Sequence, residues 1–343
     1  MKKFVIVERI MCLGLLMCAC AFLTACGDDD DGSYEVSATI IETEDGDKLQ
    51  VTRVGNVYYG YDDDGYINYL KWDGEEYEVS DNATKFYLDD DDDEETIQFT
   101  YNGSGYISKV TAKGIYYYDE DDGDYDSWEE SASLSYDGSG HLTKISYSGK
   151  ETEIYDDEEY WETWSGSITL TWSDGLLTQS VWTEECVEND GNEGGDIETY
   201  VFDYNDEQYP NAYNQYTPSC CVDYDMIFFV MAYAGLTGKG PDYLPRTVAE
   251  TYYYWDDHEG EGDYESSTTY KYGFNSDGTI DYQCTSSGKS YKYFEYGDAD
   301  SYSLSKALSL NIEEEETSSE KQRRHGLFRK SSKRQHNGVA IEE

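Results

Sequence analysis

Apolar and polar residues alternate along much of this chain. In Thr96-Ile97-Gln98-Phe99-Thr100-Tyr101 and Ser167-Ile168-Thr169-Leu170-Thr171-Trp172 every second side chain is apolar, the period of a strand with one buried face and one wet face. The strands come in a recurring unit: an aromatic, a short polar turn ending in Gly, then apolar residues at alternating or near-alternating positions. The unit runs from Tyr61 through Gly65 to Tyr66, Ile67 and Leu70, and from Tyr101 through Gly105 to Tyr106, Ile107 and Val110. It returns from Tyr136 through Gly140 to His141, Leu142 and Ile145, in shortened form at Trp172-Gly175-Leu177, and late at Phe274-Gly278-Ile280. Asp, Asn, Ser and Gly supply the backbone conformations of hairpin turns, while Tyr, Ile, Val, Thr and Trp suit a pleated, half-buried surface. The first four turn glycines lie 40, 35 and 35 residues apart, the spacing of a supersecondary repeat. The pattern predicts an antiparallel meander, two or three strands per unit.

Long acidic connections separate the hairpins: Asp89 to Glu95, Asp119 to Asp126, Asp156 to Glu159, Glu188 to Asp196 and Asp256 to Asp263. Alternate loops of a meander emerge at the same end, so several of these should project side by side and make one end of the sheet strongly anionic. One stretch breaks the alternation. Within residues 222–236 the stretch from Met226 to Leu236, Met226-Ile227-Phe228-Phe229-Val230-Met231-Ala232 and on, is apolar on all sides, with Gly238 and Pro241 as stop signals. This predicts one buried α-helix packed on the sheet or plugging its concave side.

Composition sharpens the picture. Leu, Ile, Val and Phe supply only 59 of the 343 residues, a fraction that alone would signal disorder. The 37 Tyr and 7 Trp restore the capacity to bury apolar area, so the expected protein is folded and built on tyrosine. The formal net charge is -50, and residues 26–310 hold 66 acidic against 14 basic side chains. Such a balance excludes nucleic-acid binding over most of the chain, because phosphate neutralisation needs Lys and Arg. It also favours a soluble monomer whose self-repulsion salt or divalent cations should relieve.

The N-terminus reads as an address. Lys2, Lys3 and Arg9 precede an apolar stretch from Ile10 to Phe22, the layout of a secretory signal. Leu23-Thr24-Ala25-Cys26 resembles the lipobox of bacterial lipoproteins, which implies loss of residues 1–25 and a lipid on Cys26. Acyl chains there would hold the protein to the membrane without a spanning helix. The acidic linker at 26–32 resembles the export signal that Bacteroidetes use to place lipoproteins on the outer face of the outer membrane. Read as a plain solvated linker, it leaves the protein on the periplasmic face. The C-terminal segment 301–343, with Lys321, Arg323, Arg324, Arg329, Lys330, Lys333 and Arg334, reads as a charged, disordered tail.

The lipobox, the hairpin Tyr101-Asn102-Gly103-Ser104-Gly105-Tyr106-Ile107-Ser108-Lys109-Val110, and the block Ala234-Gly235-Leu236-Thr237-Gly238-Lys239 before Leu244-Pro245 together resemble a family of Bacteroidetes lipoproteins. That family is of unknown function and is described as having a porin-like fold. The resemblance covers roughly residues 33 to 296. It implies a strongly curved antiparallel sheet with a helix and brings no catalytic residues. The fold expectation is therefore all-β: a curved antiparallel meander sheet or partial barrel over 33–300, carrying the helix at 222–236. A membrane-spanning porin is disfavoured, since the strands lack a uniform lipid-facing apolar band.

Little in the chain points to catalysis, and the expected role is a non-enzymatic binding or scaffold module in the cell envelope. His141, His258, His325 and His336 form no pair with metal-ligand spacing. Carboxylates are so abundant that they read as solvated loop residues. Asp119, Asp121, Asp122 and Asp124 form a candidate Ca²⁺ site of irregular geometry, matching no EF-hand template. The runs Tyr116, Tyr117, Tyr118 and Tyr252, Tyr253, Tyr254 are candidates for stacking on sugar rings, so a Ca²⁺-ordered glycan binder is one alternative. A carrier of an apolar small molecule on the sheet's concave side is another. Cys186, Cys220, Cys221 and Cys284 remain after the signal and Cys26, an even number in an oxidising compartment. Bridges from Cys220 and Cys221 to Cys186 and Cys284 would staple helix to sheet.

Overall fold

In a computed structural model, the described residues run from Ile40 to Asp298, apart from short segments at 44–45, 73–74, 81–83, 90–92, 120–123, 156–157, 205–208, 213–230, 233, 257–259 and 289–290. The signal segment, Cys26, the acidic linker, Cys220, Cys221, the tail and the expected helix up to residue 230 lie outside them.

Nineteen strands are defined. They are β1 (Ile41–Glu42), β2 (Lys48–Val54), β3 (Val57–Tyr61), β4 (Ile67–Trp72), β5 (Glu75–Val79), β6 (Lys85–Asp89), β7 (Asp93–Tyr101), β8 (Ile107–Asp119), β9 (Asp124–Tyr136) and β10 (Leu142–Tyr155). Then follow β11 (Glu158–Ser173), β12 (Leu176–Glu188), β13 (Glu193–Asp203), β14 (Tyr209–Pro210), β15 (Tyr243–Leu244), β16 (Thr247–Asp256), β17 (Gly260–Phe274), β18 (Ile280–Thr285) and β19 (Tyr291–Asp298). Each strand from β2 to β13, and then β16 to β19, pairs antiparallel with its neighbour in sequence. The last joins the first through Phe294↔Val54. The meander expected from the repeat therefore closes into a barrel of 16 strands. Closure removes the two open edges that a meander would leave unpaired. No helix is among the described elements. Of the expected one, Met231 and Ala232 are described, buried and with helical backbone, but its last residues, Ala234 to Leu236, form a turn with Gly235 at φ 78°, so the helix does not reach 236.

Strand alternation decides what enters the barrel. In β7, Glu95, Ile97, Phe99 and Tyr101 are buried while Glu94, Gln98 and Thr100 are exposed. In β11, Glu162, Trp164, Ile168 and Leu170 are buried, and Thr163, Ser165, Ser167, Thr169 and Thr171 take the other face. The outer face of these two strands is thus polar, without the outward apolar band of a membrane-spanning barrel, whereas Val187, Ile197, Val201 and Tyr253 stand exposed on the outer face of β12, β13 and β16.

The repeat unit has a mechanical explanation at the end of the barrel that holds its turns. Asp62 Oδ1 accepts from the N–H groups of Asp64 and Tyr66 at 3.0 and 2.9 Å. Asn102 and Asp137 do the same for Ser104 and Tyr106, and for Ser139 and His141. The Gly that ends each turn, such as Gly140 at φ 91°, takes the left-handed conformation open to a residue without Cβ. Aromatics at this end, among them Tyr136 and Trp172 that open units, then tie one hairpin to the next. Tyr136 donates to the Ile107 carbonyl at 2.6 Å, Trp172 to Leu142 at 2.9 Å, Tyr204 to Leu177 at 2.9 Å and Tyr296 to Ile280 at 2.7 Å. A large ring with one donor fills core and closes a backbone bond at once.

The same end is covered by the connection between β13 and β16. Leu236 O accepts from Ile107 N, Lys239 N donates to Gly140 O, and Asp242 N donates to Gly175 O, at 2.9, 2.8 and 3.0 Å. The Gly-Leu-x-Gly-Lys block and the Asp242 beyond it are therefore a strap bonded to three hairpins. A Cβ on Gly238 would lie 2.6 Å from Gly140 O, so the strap passes where only glycine fits. Met231, Leu236 and Leu244 enter the apolar core, which at this end includes Ile107, Leu142, Ile145 and Leu177.

Candidate functional site: the tyrosine and carboxylate mouth

All five acidic connections, those after β6, β8, β10, β12 and β16, emerge opposite the strapped end, which makes the anionic end expected from the sequence. The wall is uneven there. Strands β8 to β13 run 11 to 16 residues, whereas β2 to β6 run 5 to 7. The long side carries aromatic and acidic side chains on its inner face. Glu95, Asp126, Glu130, Glu162, Glu184, Glu188 and Glu198 are each at most 9% exposed. The register of β7 to β13 places Lys109, Lys113, Lys144 and Lys150 on the outer face, so the inner one has no cation among its described residues. The acidic runs read as solvated loop residues; these buried acids stand within strands instead. The strand period turns alternate ones inward, and neutral donors meet them: Tyr147 donates to Glu184 at 2.9 Å and Tyr77 to Glu95 at 3.3 Å.

The mouth is best built around β16 and β17. The register sets Tyr252 opposite Tyr264 and Tyr254 opposite Gly262, and β13 adds Glu198 beside Tyr252. The rings of Tyr252 and Tyr254 are 6.0 Å apart and those of Tyr252 and Tyr264 5.2 Å. Tyr264 donates to Glu250, whose other oxygen accepts from Ser266 at 2.9 Å. Although these rings share the inner face, Tyr254 is 36% and Tyr264 45% exposed. They form an open ledge above a buried floor, where Trp182 Nε1 donates to the Tyr147 hydroxyl and Glu198 is 1% exposed. Burial, followed by the charges of Asp196, Glu198 and Glu184, pushes the Tyr252 phenol well above its ordinary range. Burial and then Glu184 do the same to Tyr147. The phenols therefore stay protonated donors, and the carboxylates act as acceptors.

No protein-family model and no curated protein matches the chain. Among solved structures, it is similar to the crystal structure of a porin-like protein from Bacteroides uniformis, at 12% identity and a TM-score of 0.23, covering 62% of this chain and 93% of that one. A superposition of that quality transfers neither a ligand nor a membrane role.

The remaining candidate residues are dispersed. Alternation splits both tyrosine runs: Tyr253 faces out, bonded to Glu261 at 2.9 Å and stacked on Trp255, and Tyr117 pairs with Tyr125 on the outer wall. Tyr116 takes the inner register with Asp126. Asp119 and Asp124 are paired backbone positions at the β8–β9 turn, while Asp121, Asp122 and the Tyr118 side chain lie outside the described residues. No group of three metal-ligating side chains occurs among the described residues. Cys186 and Cys284 are buried on β12 and β18 and not bonded to each other. His141 stacks on Trp172 at 4.2 Å and meets Asp137 at 3.1 Å, a structural use. Tyr264, Glu250 and Glu198 were missed, although a hairpin folded about His258 already sets Tyr264 against Tyr252.

Proposed function

We propose that the protein is a non-enzymatic binding module, held to the outer membrane by a lipid on Cys26 as a Bacteroidetes-type lipoprotein, that takes neutral glycan on the tyrosine ledge of its mouth. The observation that carries this reading is the ledge itself: three rings on one face, two of them open, beside Glu198 and Glu250. Rings stack on the apolar faces of sugars, the phenol hydroxyls are held in place by carboxylates such as Glu250, and an inner face without cations among its described residues turns anions away. The polar outer face of β7 and β11 fits a body tethered beside the membrane instead of within it. A carrier of apolar ligands has less support, because the apolar half is filled by side chains such as Leu70, Phe86 and Ile97 and covered by the strap.

Affinity electrophoresis against soluble starch, xylan and galactomannan tests it. Retention by at least one polymer is expected, with the double variant Tyr254→Ala/Tyr264→Ala losing about thirtyfold in affinity, each ring contributing on the order of 1 kcal/mol. No new reducing ends should appear. Retention by none, or retention untouched in the variant, would sink the ledge as a glycan site, and released sugar would make the protein a hydrolase.

A further inference from the structure

The inner wall turns anions away, but one part of the outer wall does the opposite. A groove of about 640 Å³ crosses β6 to β10 on their outer face. Two adjacent cross-strand rows form its floor. The first reads Thr96, Lys113, Glu129, Lys150, and the second Lys85, Gln98, Thr111, Ser131, Ser148. Three of the few basic residues of the body are thus gathered in a concave surface. Among the described residues, none of the three ammonium groups lies within 4.0 Å of a carboxylate. Aromatic rings hold two of them: Lys85 Nζ sits 4.4 Å from the Tyr87 ring centre and Lys150 Nζ 5.9 Å from that of Trp161.

We infer that this groove is a second binding site, for an acidic polysaccharide that carries isolated carboxylates between hydroxylated sugars. Lys113 and Lys150 are two strands apart, roughly 10 Å, with Glu129 paired between them. A dense polyanion or a sheet of lipid phosphates would meet Glu129 head on. A polymer with spaced charges instead puts a carboxylate on each ammonium and a sugar hydroxyl on Glu129. The Thr, Ser and Gln side chains of the second row bond further hydroxyls, and Tyr87 and Trp161 flank the groove with ring faces. The site is independent of the tyrosine ledge, which lies on the other face of the wall.

Hyaluronate, with one carboxylate per disaccharide, is the probe, and its carboxyl-reduced form the control. The intact protein should bind hyaluronate at least about tenfold more tightly than the reduced polymer. Lys113→Gln/Lys150→Gln should lose about tenfold, and Lys113→Arg/Lys150→Arg should keep affinity within about threefold. Tyr254→Ala/Tyr264→Ala should leave hyaluronate binding unchanged, which separates failure here from failure of the ledge. Equal binding of the two polymers by the unmodified protein overturns the proposal without relying on any variant. So does unchanged binding in the Gln variant, or retention on phosphatidylglycerol vesicles with no affinity for hyaluronate.

Discussion

Above pH 10 the protein is expected to lose its sheet, with phenolate absorbance rising together with the loss of β-structure in circular dichroism. In the unfolded chain a tyrosine titrates near 10. Burial holds the Tyr101 phenol far above that value, burial and then Tyr106 do so for Tyr136, and burial and then Glu184 for Tyr147. At pH above 10 the folded state therefore binds more protons than the unfolded one, and stability falls as pH rises. The contribution is complete below pH 10 and is lost on the way to the folded values. Each such phenol removes about 1.4 kcal/mol per pH unit, so three remove about 4. A domain stable by about 5 to 15 kcal/mol is exhausted within about one to four units. More exposed phenols respond less steeply, such as Tyr69, which partial burial and then Glu76 push up to about 12. A smooth titration of all phenols near pH 10 with the sheet intact would contradict the burial assigned to these three.

Gly166→Val should be the most destabilising change in the long wall. Gly166 is paired with Tyr147 on β10 and Glu184 on β12, and the Tyr147 ring lies over it. A Cβ at this position would overlap the phenol and lie 2.5 Å from Thr183 O, so neither ring nor backbone has room to give. Overpacking costs about 1 to 3 kcal/mol. Displacing the phenol also removes a hydroxyl donor from buried Glu184, about 1.5 to 3 kcal/mol for a bond to a charged group. The expected total is about 3 to 5 kcal/mol, read as a shift in urea midpoint at unchanged slope. Gly138→Ala, in a turn with nothing within 4 Å of the added carbon, should shift by no more than about 0.5 kcal/mol. Equal midpoints for the two variants would mean that Tyr147 is not held where it is placed. Gly149 repeats the arrangement under Trp164, with Glu129 O 2.9 Å from the added carbon. Strand glycines here are the seats of cross-strand aromatic rings.

Local residue chemistry determined the repeating part of this protein. Asp62, Asn102 and Asp137 cap their own turns within four residues, alternation marks the strands, and hairpin parity sends the acidic connections to one end. Each of these is a short-range consequence of backbone geometry, so each is legible in sequence. Closure of the barrel is not, because it depends on Phe294 meeting Val54 across nearly the whole domain. The sites were dispersed for the same reason. Tyr252, Tyr253 and Tyr254 read as one surface, yet a strand turns neighbours to opposite faces, and the ledge is completed by Tyr264 from the next strand. Lys85, Lys113 and Lys150 are isolated in an acidic chain until register lines up β6, β8 and β10. Turns, strands and the anionic end depend on neighbours along the chain and are legible in residue order. Which carboxylates are buried and where rings and lysines gather follows from cross-strand register, which sets those distances only once the barrel has formed.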